Sequence, residues 1–216
     1  MKNICITAVN ERYRDILISQ ISRLQEFSWN IHILTDKPEN FTNFNTEYYP
    51  YSIFSYVDKI LYPIRTSLQI QQPVLSVDAN KLEELTDEFL EKGTISNNFM
   101  YLQKWPNAEY LDFFDNSYFT VLIEYFESIK FDYHKLPCLV EQVFYIPYFP
   151  QLKKALNNIE HIKPILEYIS VLNNFPYPGT GNGEGIALAY GIVNNNFNLE
   201  KFHFSPFSRS KNNRFI

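Results

Sequence analysis

Three short apolar runs in the first eighty residues each end at a polar side chain, and this pattern constrains the chain most. Ile4-Cys5-Ile6-Thr7-Ala8-Val9 opens onto Asn10, Ile31-His32-Ile33-Leu34-Thr35 onto Asp36, and Val74-Leu75-Ser76-Val77 onto Asp78. Runs this short and this apolar suit strands buried on both faces of a sheet. Between the first two, Ile16, Leu17, Ile21 and Leu24 recur at helical spacing. Before the third, Val57, Ile60, Leu61, Ile64 and Leu68 do the same, and Pro63 should bend that helix or move its start. Thr46-Glu47-Tyr48-Tyr49-Pro50-Tyr51 reads as a further strand, placed at an edge because Pro50 has no N–H to donate. The order β-α-β-β-α-β predicts an α/β layer with a mostly parallel sheet. Ligands of such sheets bind beyond the carboxyl ends of the strands. Asn10, Asp36 and Asp78 therefore converge on one edge.

The second half is less regular. Leu82, Leu85, Phe89 and Leu90 stripe a helix expected to stop at Gly93. Residues 98–102 suit a strand, and residues 118–130 an amphipathic helix. Residues 139–146 suit either state, and Pro147 and Pro150 favour a helix that leads into a loop. A helix over 152–172 is expected to be interrupted near Pro164. Four of the six glycines then fall within Gly179-Thr180-Gly181-Asn182-Gly183-Glu184-Gly185, ahead of an apolar segment. A glycine loop feeding a helix lets a ligand approach the backbone and here presents Glu184. It lacks the Lys-Ser/Thr that a P-loop requires. No repeat or linker divides the chain, so residues 1–216 read as a single domain.

Composition narrows the function classes. A chain of 216 residues with 45% hydrophobic content can bury one substantial core. No apolar run reaches the ~18 residues of a membrane span. The N-terminal run is too brief for a secretion signal. Cys5 and Cys138 lack CxxC spacing and read as buried thiols, which fits a cytoplasmic protein. A net charge of −5 argues against a broad basic field for nucleic acid. The local exception is the tail, with Lys201, Arg209, Lys211 and Arg214. The 16 Tyr and 19 Phe serve the core, and tyrosines at a cleft mouth also suit stacking on a sugar or base.

Within Pro73-Val74-Leu75-Ser76-Val77-Asp78-Ala79-Asn80, Asp78 and Asn80 are two apart. In an extended segment they point to the same side and aim two oxygens at one place. A hard divalent cation that also holds a phosphate takes such ligands, although Asn80 brings no charge.

Taken in order, the first strand opening onto Asn10, the strand ending at Asp36, the helix with Lys59 and Arg65, and the segment ending in Asp78 and Asn80 resemble a small GT-A-type glycosyltransferase. The resemblance covers residues 1–100; residues 101–216 match loosely, through Glu141 and the glycine cluster. It implies a Rossmann-like GT-A domain with a mixed, mostly parallel central sheet flanked by helices. The first half would hold a nucleotide-sugar donor, most simply a UDP-sugar, and the second would face the acceptor. Ala8, Val9, Asn10 and Asp36 would meet base and ribose, and Lys59 and Arg65 the diphosphate or base. Asp78, Asn80 and His203 would ligate Mn²⁺ or Mg²⁺. Glu184, or else Glu141, would be the general base of an inverting reaction. The acceptor stays open among a glycan, a protein and a modified nucleic-acid base. Three ways of balancing the diphosphate follow: a metal helped by His203, enzyme cations such as Lys59 in its place, or loss of catalysis.

Other classes fit less well. A phosphohydrolase of this layout needs a second aspartate for proton transfer, which Asn80 cannot replace. A dinucleotide site needs a glycine turn after the first strand, and Ala8-Val9-Asn10-Glu11 lacks one. A non-catalytic nucleotide-sugar-binding module on the same fold is the serious rival.

Overall fold

The first strand, β1 (Lys2–Ala8), has apolar side chains on both faces and lies inside a sheet. In a computed structural model, which describes residues 2–51, 54–92, 101–109, 119–174 and 183–193, it is flanked by β2 (Trp29–Thr35) and β4 (Val74–Asp78). The strands β3 (Asn45–Tyr48), β5 (Tyr101–Glu109) and β6 (Pro137–Ile146) complete a six-stranded sheet in the order β3-β2-β1-β4-β6-β5. Strands β1 to β4 are mutually parallel where they pair. β6 runs antiparallel to β4 and to β5. The protein is thus α/β, with one mixed sheet flanked by helices.

The helices are α1 (Glu11–Glu26), α2 (Asp58–Ile70), α3 (Asp87–Lys92), α4 (Thr120–Ser128), α5 (Leu152–Leu172) and α6 (Gly183–Val193). Ile4, Ile6 and Ala8 of β1 share a core with Leu17 and Leu24 of α1 and with Leu82. Cys5 and Val9 pack on the other side with Leu34, Tyr62 and Val74. This two-sided burial is why the strand lacks an alternating pattern. Ile159, Ile162, Leu166 and Ile169 of α5 are buried at helical spacing in a third cluster, with Ile60 and Ile64 of α2 and Ile186 to Tyr190 of α6. Gly191 permits that packing: a Cβ there would lie 2.6 Å from Ile159 Cδ1.

Several expectations change. Residues 139–146 are strand, not helix and loop, because their backbone joins β4 to β5. Residues 79–92 form a 3₁₀ turn, Ala79–Glu84, and then the short α3, rather than one helix. Of the strand expected over 98–102, residues 101 and 102 belong to β5, and residues 98–100 lie outside the described residues. Pro164 does not interrupt α5, which runs on through it with the proline ring on the exposed side. Pro63 likewise lies within a continuous α2. Among the described residues, no helix is long and apolar enough to cross a membrane.

Candidate functional site

The chain runs from β1 through α1 to β2 and β3 on one side, and α2 then carries it back to β4 on the other side of β1. The strand order reverses between β1 and β4, and a crevice opens at such a reversal. Thr7 and Asp78, register partners near the carboxyl ends of these strands, lie on its floor. Val9 and Asn10 come from the β1–α1 turn, Tyr13 from the first turn of α1, Tyr51, Phe54 and Tyr56 from the β3–α2 connection, and Lys59 from the first turn of α2. The cleft holds about 410 Å³ of empty space, counting the part open to solvent.

Asn10 shapes the entry to α1. Its side chain accepts a hydrogen bond from the Tyr13 N–H at 2.9 Å and caps the helix. Its backbone has φ 143° and ψ 164°, a region that costs a residue with a side chain about 1–3 kcal/mol. A strained cap lining a cleft marks the turn as more than a connection.

At the opposite wall, Lys59 is 6% exposed although charged. Its Nζ lies 3.0 Å from Asp78 Oδ2 and 3.5 Å from Glu184 Oε1, and 5.3 Å from the centre of the Tyr56 ring. Glu184, in the first turn of α6, is 7% exposed. Burial raises the proton affinity of both carboxyls, and Lys59 partly offsets this by favouring their charged forms. With both carboxylates ionised, the three groups carry one net negative charge, and a proton on either carboxyl neutralises the cluster.

The expected site residues divide. Val9, Asn10, Lys59 and Asp78 line the cleft together. Ala8 points its side chain into the α1-side core. Asp36 pairs with Arg14 at 2.5 Å. Arg65 pairs with Glu47 of β3, at 3.1 Å. Glu184 reaches Lys59 from behind and is not among the cleft-lining residues. Glu141 falls in β6, with its side chain outside the described residues, and His203 and residues 179–182 lie outside them as well.

Asp78 ends β4, and Asn80 follows it on the 3₁₀ turn. The chain leaves the strand at Ala79, so the same-side geometry of extended residues does not extend to Asn80, which is exposed on the 3₁₀ turn. The one carboxylate that remains, Asp78, already holds an ammonium. Among the described residues, no three His, Cys, Asp or Glu side chains are grouped to hold a metal.

The aromatic mouth was not placed by the sequence. Tyr13 reaches it from α1, and Tyr51, Phe54 and Tyr56 through a loop path that periodicity does not record. No protein-family model matches this sequence, and no curated protein matches it.

Proposed function

We propose that the cleft binds a nucleoside-diphosphate sugar and that the protein is a GT-A-like glycosyltransferase. The observation that carries this reading is the placement of Asn10, Lys59, Asp78 and four aromatic rings at the β1/β4 reversal. Aromatic faces suit a base or a sugar, and a cation suits a diphosphate. The transfer breaks the bond from the anomeric carbon to the diphosphate oxygen and forms one to an acceptor hydroxyl oxygen. The nucleoside diphosphate leaves with the electron pair, and the acceptor proton passes to a base or to solvent. Preorganised positive charge at the departing oxygens is the largest contribution a protein makes to such a step. The Glu184 geometry favours a second reading: its contact with Lys59, behind the cleft wall, suits a positioning role better than that of an acceptor base. Binding without turnover follows if no other base serves.

A thermal-shift screen of nucleotide sugars, with and without Mn²⁺, followed by donor hydrolysis assays on the hits, tests the proposal. At least one donor should raise the melting temperature and release its sugar. Stabilisation without release selects the binding module, and no stabilisation by any nucleoside-diphosphate compound rejects the site.

A further inference from the structure

We infer that Tyr49, from outside the cleft, sets the aromatic wall that a ligand meets, as the positioning residue for the segment that carries Tyr51, Phe54 and Tyr56. The inference goes beyond the nucleotide-sugar reading, because it holds for whatever ligand those rings receive. Tyr49 directly follows β3 and is not among the cleft-lining residues. Its N–H donates to Thr35 O at 2.8 Å, which fixes the near end of the segment to β2. Asp58, the first residue of α2, forms the far end. The Tyr49 hydroxyl donates to Asp58 Oδ2 at 2.6 Å. One side-chain contact thus ties together the two ends of a loop that holds three of the four rings at the cleft.

The contact passes to the cleft through the rings themselves. Phe54 stands edge-on to Tyr49, with centroids 5.8 Å apart and planes at 86°. Phe54 also lies against Tyr56, at 5.5 Å and 56°. Edge-to-face packing is directional, so the plane of one ring sets the plane of the next. The Tyr49 ring is held at its far tip, because Asp58 is buried and Lys163 Nζ grips its carboxylate at 2.8 Å to each oxygen. Burial first, and then the bond to Asp58, raise the proton affinity of the phenol, so its hydroxyl remains a donor. A hydrogen bond to a carboxylate is among the stronger ones a side chain makes. Rings ordered before the ligand arrives need not be ordered by it, and that saving appears as affinity.

Hydrogen exchange at the Phe54 amide, which bonds to Tyr51 O within the segment, reads the order of the wall with no ligand present. Tyr49→Phe keeps the ring and removes only the hydroxyl. It should speed that exchange by about ten- to a hundredfold, as loss of a hydrogen bond to a charged group does. Lys163→Met destabilises the fold through Asp58 but leaves the hydroxyl bond, so exchange at Phe54, a local opening, should stay within about twofold of wild type. Asp58→Asn/Lys163→Met keeps an acceptor oxygen for Tyr49 and should also exchange like wild type. Titration of UDP and GDP, with Mn²⁺ present, reads the consequence. Tyr49→Phe should bind about three- to tenfold more weakly, because a wall ordered for part of the time lowers the apparent affinity by that fraction. Lys163→Met should bind like wild type. Unchanged Phe54 exchange in Tyr49→Phe, or equal acceleration by Lys163→Met, overturns the inference and leaves the donor site standing. Wild-type protein that binds neither nucleotide rejects the nucleotide reading instead, and the exchange rates still decide the role of Tyr49.

Discussion

At the scale of single residues, the chemistry gathers where burial and charge conflict. Lys59, Asp78 and Glu184 are three ionisable groups in one partly dry corner, and such clusters concentrate at functional sites. Burial raises the pKa of Glu184 above the ordinary 4.5, so the folded chain binds that proton more tightly than the unfolded chain does. Stability then falls as pH rises from the ordinary glutamate range through the raised value, because the unfolded state holds fewer protons over that window. The groups facing Glu184 are Lys59 on α2 and Asp78 on β4, with Lys81 acting on Asp78 from the 3₁₀ turn. Glu184→Gln removes one titration and leaves the Lys59–Asp78 pair. Wild-type minus Glu184→Gln unfolding free energy, measured in urea from pH 4 upward, should therefore decline, with a slope of at most about 1.4 kcal/mol per pH unit. A flat difference would place Glu184 in an ordinary solvated setting, and a rising one would show Lys59 outweighing burial.

At the scale of elements, a second charged cluster ties α2 to α5. Asp58 is 1% exposed; its carboxylate accepts from the Tyr49 hydroxyl at 2.6 Å and from Lys163 Nζ at 2.8 Å to each oxygen. Removing one partner of a buried pair leaves an uncompensated charge and costs about 3–5 kcal/mol. Lys163 is 23% exposed, which puts Lys163→Met at the lower end of that range. Asp58→Asn/Lys163→Met should recover much of the loss, since no buried charge then stands alone. Urea unfolding of the two variants checks this, and a Lys163→Met cost under about 1 kcal/mol would show that the pair adds little. The cluster also locks the helix that carries Lys59, which begins one residue after Val57. How much of this the sequence exposes varies by element. The ends of β1, β2 and β4 are legible because apolar runs stop at polar residues, and α5 is legible because its buried positions keep helical spacing. β6 is not: Glu141 and Gln142 interrupt its apolar residues, and neither period stands out. Asn80 misleads because spacing in sequence assumes that the strand continues, whereas the backbone turns at Ala79. The Asp58–Lys163 contact spans 105 positions and leaves no local trace.

At the scale of the whole molecule, the sheet order brings Asn10, Lys59 and Asp78 together from three separate segments, and the reversal between β1 and β4 makes room for a ligand. Asp36 and Arg65 are on neighbouring elements yet are spent on ion pairs with Arg14 and Glu47. The cleft at this reversal is where the account is most exposed to failure. A crystal structure of the protein with UDP and Mn²⁺ examines it directly. The account predicts the nucleotide at the carboxyl ends of β1 and β4, with its base or ribose ring about 4.5–7 Å, centre to centre, from one of the rings of Tyr13, Tyr51, Phe54 and Tyr56. A nucleotide bound elsewhere on the molecule, or one in the cleft with base and ribose turned away from those rings, would contradict it.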